Sequence, residues 1–201
     1  AQREIEAGEA LSMQLVNPSA NSAASADAFN QIAAKYSGTV AAKRAQLDAA
    51  ASLFDAGKYP EAQAQFQKFV DANPSGALAA TAQLGVGSSL EAQNKADLAV
   101  AAYQRVISLF AGSTAVPGAE FALGRIAEQH NKLSEAESHY ESAARAAMGG
   151  SLAQEAAMRA SELKAKLAAA TPKPATVAPK PAAPAPAPAA TTPAPATLPA
   201  K

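Results

Sequence analysis

Cysteine and tryptophan are both absent from the 201 residues, and histidine occurs only at His130 and His139. Without cysteine there can be no disulfide, no thiolate zinc site and, within this chain, no lipidated N-terminal cysteine. The same absence says little about compartment, because a chain without cysteine is compatible with any redox environment. Lysine plus arginine and aspartate plus glutamate number 17 each, and the resulting formal charge of zero argues against the electrostatic footprint of a nucleic-acid or anionic-lipid binder. No stretch approaches the roughly 20 apolar residues that span a bilayer. Aromatic residues make up only 5% of the chain while apolar residues reach 49%, most of them alanine. The core is therefore expected to be thin per residue, held by many short helix contacts rather than a few large side chains.

Signatures of catalysis are missing too. There is no nucleophile elbow, phosphate-binding glycine loop or paired-carboxylate motif. The two histidines are nine apart, which is not the i, i+4 spacing that puts two imidazoles on one helical face, and they read as surface residues. Gly85-Val86-Gly87 sits inside an expected helix, where close helix packing explains it better than phosphate binding. Neither an enzymatic activity, nor a cofactor, nor a metal site is expected.

What the chain does contain is a recurrence at a spacing of 37. Ala62, Ala99 and Ala136 each stand four residues before an aromatic, Phe66, Tyr103 and Tyr140. Ahead of each alanine lies a helix whose small and aliphatic residues also recur: Gln46, Ala49, Ala50 and Leu53, then Gln83, Val86, Gly87 and Leu90, then Glu120, Leu123, Gly124 and Ala127. Between the two helices of each unit, Gly57, Asn94 and Asn131 fall in register, and glycine and asparagine tolerate the left-handed conformation that closes a helix. Each unit thus reads as helix, tight turn, helix, and self-similarity at such a period marks a helical solenoid.

These residues resemble the tetratricopeptide repeat, with its small residue where paired helices touch, A-x3-F/Y in the second helix and proline at the end. Ala62-x3-Phe66, Ala99-x3-Tyr103 and Ala136-x3-Tyr140 match, and Gly87 and Gly124 take the small position in the first helix. The clean terminal proline is found only at Pro74, and the period exceeds the usual one of about 34. The extra residues are expected between units, at Ser75 to Ala80 and Gly112 to Gly118. The resemblance implies an all-α fold, a right-handed superhelical α-solenoid of tetratricopeptide-like helix pairs, to which composition adds an expected disordered Pro/Ala-rich C-terminal tail. Residues 43–149 hold three repeats, at about 43–79, 80–116 and 117–149.

On either side of the repeats the sequence changes character. Residues 1–42 read as an N-terminal helix, Ala1 to Val16, with Ile5, Leu11, Met13 and Leu15 supplying apolar contacts, followed by a degenerate capping repeat. Asn17-Pro18-Ser19 breaks the first helix, and a second is expected to begin near Ser25 with Phe29, Ile32 and Tyr36 on one face. Residues 150–170 form a closing helix in which Leu152, Ala156, Leu163 and Leu167 pack inward. From Thr171 to Lys201 alanine, proline and threonine dominate, so that segment is expected to be disordered and biased to polyproline II, either an inert end or a spacer across a cell-envelope gap.

Taken together, an amphipathic first helix, a diverged repeat ending in Lys35-Tyr36-Ser37-Gly38-Thr39, three repeats and an alanine-rich closing helix resemble the bacterial membrane-anchored periplasmic YfgM-like family. BamD-like and CpoB-like envelope repeat proteins are similar in repeat style. The resemblance implies a bacterial periplasmic module anchored to the inner membrane by a segment upstream of Ala1, with the cytoplasm as the alternative. Its expected partners are proteins: a membrane complex, or unfolded clients. By the same resemblance the first helices line a concave face, on which Arg44, Leu47, Ala51, Leu84, Ser88, Glu91, Phe121, Arg125 and Glu128 fall. Leu47, Leu84 and Phe121 would make that groove apolar, suited to an apolar or amphipathic segment, unless the N-terminal helix fills it or these side chains are core. The expected function is a non-enzymatic envelope adaptor or chaperone-network subunit; the alternative is a structural or self-assembling scaffold subunit.

Overall fold

A computed structural model describes residues 1–17 and 21–170. The C-terminal segment 171–201 and the Pro18-Ser19 break lie outside the described residues. Among those described there are nine helices and no strand: α1 (Gln2–Val16), α2 (Ser22–Lys35), α3 (Val40–Asp55), α4 (Tyr59–Ala72), α5 (Ala77–Ala92), α6 (Ala96–Leu109), α7 (Val116–Gln129), α8 (Leu133–Ala146) and α9 (Gly150–Ala170).

The even-numbered helices are 14 residues each and start at Ser22, Tyr59, Ala96 and Leu133, a spacing of 37 at every step. The alanine-aromatic recurrence therefore extends one unit upstream: Ser25 and Phe29 of α2 stand in register with Ala62 and Phe66, and both are buried. The first helices repeat equally well. Ala45, Ala82, Ala119 and Ala156, 37 residues apart on α3, α5, α7 and α9, are all 0% exposed. By this register α9 is the first helix of a further unit.

Backbone chemistry at the turns explains the strict period. Gly57, Asn94 and Asn131 have φ of 74°, 59° and 58°. That left-handed step lets the next amide, of Lys58, Lys95 or Lys132, donate back to the carbonyl of Leu53, Leu90 or Ala127 at 2.9, 3.0 and 2.9 Å. Carbonyls that a helix end leaves unpaired are thereby satisfied, and the chain reverses in the same way each time.

Small residues set the helix separation. A Cβ on Gly87 would lie 2.5 Å from Tyr103 Cε1, and one on Gly124 would lie 2.9 Å from Tyr140 Cδ1. Gly85 serves the interface between units instead, since its Cβ would fall 2.7 Å from Phe66 Cε2. Ala62, Ala99 and Ala136 are 0% exposed, and Phe66, Tyr103 and Tyr140 are buried with them. First helices touch in the order α3, α5, α7, α9, whereas among the described residues no two second helices approach as closely. The odd-numbered row accordingly forms the inner wall of the stack.

Several boundaries differ from expectation. Asn21 caps α2 by accepting from the amide of Ala24 at 2.8 Å, so that helix begins three residues before Ser25. The segments Ala77–Ala80 and Val116–Gly118 are already helical, so part of the extra length resides in the first helices rather than in the inter-unit turns. On α1 the inward residues are Ala7 and Leu11; Ile5, Met13 and Leu15 are 62%, 69% and 54% exposed. At about 100° per residue Ala7 and Leu11 share a face, which turns Ile5 and Met13 to the opposite one. Two links hold α1 in place: Glu4 Oε1 accepts from the amides of Val40 and Ala41 at the start of α3, and Arg3 donates to the Lys35 carbonyl. Leu152 and Leu167 of α9 are half-buried, and Ala156, Ala160 and Leu163 carry its buried face.

Candidate partner-binding groove

The inner wall is built from equivalent positions on α3, α5, α7 and α9. Leu47, Leu84 and Phe121 form one such row at intervals of 37, and Met158 of α9 continues it. Exposure rises along the row. Leu47 is only 4% exposed and belongs to the core, Leu84 and Phe121 are half-buried, and Met158 is 54% exposed. Sequence reasoning placed the first three and missed Met158, although its distance of 37 from Phe121 was the available signal.

Between α3 and α5 the wall opens into a cavity of about 330 Å³. Arg44, Leu47, Ala51, Leu84 and Ser88 border it, together with Phe54, Phe66 and Leu78, which the sequence reading did not include. The ring of Phe66 lies against Gly85, and Phe54 packs edge-on to Tyr59 with centroids 5.1 Å apart. At the rim Arg44 Nε donates to Asp48 Oδ1 at 3.0 Å, and Asp55 lies at the far end of α3.

Further along, the groove residues hold one another. Tyr103 Oη donates to Glu91 Oε2 at 2.8 Å, and Glu91 Oε1 pairs with Arg125 Nη2 at 2.7 Å. One unit later Tyr140 Oη donates to Glu128 Oε2 at 3.0 Å. Burial is the main cause that pushes the Tyr140 phenol up to about 12, with the bond to Glu128 and its charge adding in the same direction. Burial raises Tyr103 further still; the Ser88 contact opposes this and the Glu91 charge reinforces it. Phe121 packs edge-on to Tyr140 with centroids 5.2 Å apart, so it is both wall and support. Among the described residues helix α1 reaches only α2 and α3, and it does not cover the α5 and α7 part of the wall.

Expected to be a surface residue, His139 is in fact partly covered. Its side chain is 27% exposed, and Nδ1 lies 2.7 Å from Glu120 Oε2, tying α8 to α7. His130 is exposed. Both border a hollow of about 160 Å³ together with Asp97, Lys132 and Glu135. Among the described residues no three His, Cys, Asp or Glu side chains are grouped to hold a metal ion, and no helix is long and apolar enough to cross a membrane.

The helix-turn-helix units, their left-handed turns and their alanine-aromatic register coincide with a known repeat: the tetratricopeptide repeat family model matches residues 47–119. Over these residues the chain is similar to tetratricopeptide repeats. The matched span runs from Leu47 on α3 to Ala119 on α7 and so contains the α3–α5 cavity. Tetratricopeptide repeats bind protein partners and are typically non-catalytic. The solenoid is similar to the crystal structure of MamA protein, with a TM-score of 0.54 and 18% identity, over 86% of this chain and 97% of that one. It is also similar to a Podospora anserina chain of nearly identical TPR-like repeats related to kinesin light chain, with a TM-score of 0.49 and 16% identity over 83% and 95% of the two chains. No curated protein sequence matches this chain.

Proposed function

We propose that this chain is a non-enzymatic protein-interaction module that receives an apolar or amphipathic segment along the α3, α5 and α7 wall. The observation that carries this reading is the open, largely apolar cavity of about 330 Å³ on that wall, bordered by half-buried Leu84, Phe54 and Leu78. Half-buried apolar side chains lining a concavity gain free energy when a partner covers them, at about 25 cal/mol per Å². The buried phenols of Tyr103 and Tyr140 are engaged with Glu91 and Glu128.

Replacing Leu84 and Phe121 by serine tests the proposal. Loss of partner capture with the circular dichroism spectrum unchanged is the expected result. Loss of the fold would make both side chains core and remove the reading.

The proposed setting is the bacterial periplasm, as an adaptor or chaperone-network subunit attached to the inner membrane. What supports it is the likeness of the amphipathic first helix and the Lys35-to-Thr39 exit to membrane-anchored envelope repeat proteins. The genomic reading frame upstream of Ala1 tests this, since anchorage requires an apolar segment of roughly 20 residues there.

A further inference from the structure

The 37-residue register allows one unit to be compared with the next, position by position. Where the second and third units carry Glu91 and Glu128, the first carries Phe54; where they carry Tyr103 and Tyr140, it carries Phe66. In the later units a phenol donates to a carboxylate, at 2.8 and 3.0 Å, and closes the gap between the two helices with a polar tie. In the first unit neither partner is polar. Phe66 leans onto Gly85 of the next unit, Phe54 turns toward Tyr59, and the space beside them stays open as the α3–α5 cavity.

Size and lining define what that cavity can accept. Its volume of about 330 Å³ lies at the small end of ligand clefts, enough for one bulky side chain rather than an extended ligand. Leu47, Phe54, Phe66, Leu78 and Leu84 offer it no hydrogen-bond partner. Ala51 and Ser88 are small neighbours on the same wall, so a partner backbone can approach closely.

Charge at the rim then selects the flanks. Arg44 at the rim is neutralised by Asp48, and further along the wall, outside the cavity, Glu91 is neutralised by Arg125. Asp55 borders the same cavity, is exposed, and makes no ion pair among the described residues. The uncompensated charge beside the apolar space is thus negative.

We infer that the α3–α5 cavity is an anchor pocket for one leucine or phenylalanine side chain of a partner peptide that carries lysine or arginine beside that anchor, facing Asp55. The inference rests on the groove reading above and narrows it to one pocket and one sign of charge.

Three fluorescein-labelled synthetic amphipathic peptides test it, alike except in two respects: a leucine anchor with flanking lysines, the same anchor with flanking glutamates, and the lysine peptide with its leucine anchor replaced by alanine. Fluorescence anisotropy is measured against the full chain and its variants, with circular dichroism confirming each fold. The lysine peptide is expected to bind saturably and at least about tenfold more tightly than either of the others. Asp55→Lys, an exposed change, should remove the charge preference, and Leu84→Gln should weaken binding about tenfold or more. If binding is unaffected by Asp55→Lys and Leu84→Gln but lost in Phe121→Ser, the groove reading stands and the anchor pocket is wrong. Binding indifferent to all three variants overturns both, and failure of the lysine peptide to bind overturns the anchor pocket. A dimer by light scattering that Leu84→Gln dissociates would make a second copy of the chain the occupant and equally overturn it.

Discussion

Tyr103 and Glu91 are tied across the second repeat by a hydrogen bond of 2.8 Å, and the carboxylate's other oxygen reaches Arg125 of the third repeat at 2.7 Å. One side chain thereby joins the two helices of its own unit and the next unit. Removing the hydroxyl with Tyr103→Phe leaves a mostly buried carboxylate short of a donor, a loss of about 1–2 kcal/mol by urea unfolding. The pairing Tyr103→Phe with Glu91→Leu, which approaches the chemistry of Phe66 and Phe54, should recover part of that loss. A double-mutant cycle measures the coupling.

Alkaline stability follows from the same pair of tyrosines. Burial first, then the contact with Glu128, pushes the Tyr140 phenol from its ordinary 10.0 up to about 12, and Tyr103 moves in the same direction. Because the folded state holds the neutral phenol more tightly, this contribution is fully present below pH about 10 and is lost as pH rises through the folded value. Urea midpoints should fall steadily between pH about 10 and 12, and Tyr140→Phe should flatten that fall.

Gly87 has no room for a side chain. Alanine there gains roughly 1 kcal/mol of helix propensity but must displace the Tyr103 ring, which its hydroxyl anchors. A net loss of about 1–2 kcal/mol is expected from Gly87→Ala. Gly112→Ala meets no atom within 4 Å and should stay within about 0.5 kcal/mol of the parent. Thermal unfolding of the two variants side by side checks the contrast.

At Asn94, with φ of 59°, alanine must enter the left-handed region and should cost about 1 kcal/mol, while Asn94→Gly should be close to neutral. Asn131, at 58°, should behave alike. Equilibrium unfolding of both pairs provides the comparison.

The solenoid was legible because three signals coincide at one period: a left-handed residue at the turn, a small residue on each helix, and an aromatic four residues on. Ser25-x3-Phe29 was harder to see as the same motif, since serine replaces alanine there while performing the same packing. Helix starts were misjudged where the cap lies before the apolar pattern, as with Asn21. The groove was only partly readable. Leu84 and Phe121 follow from the register, but Phe54 and Phe66 have to be placed in three dimensions before their shared departure from the Glu-Tyr pattern becomes an open cavity. His139 misled for a related reason: its partner Glu120 is distant in sequence and meets it only once α7 and α8 pair.

Site-specific photo-crosslinking in cells tests the central claim most directly. A benzophenone amino acid is placed singly at Leu84, Phe121 and Met158 on the inner row, and at Leu98 and Leu109, which are 57% and 66% exposed on the second helix α6. Discrete protein adducts from the inner row and none from α6 are the expected result. Adducts from Leu98 and Leu109 with a silent inner row would contradict the account.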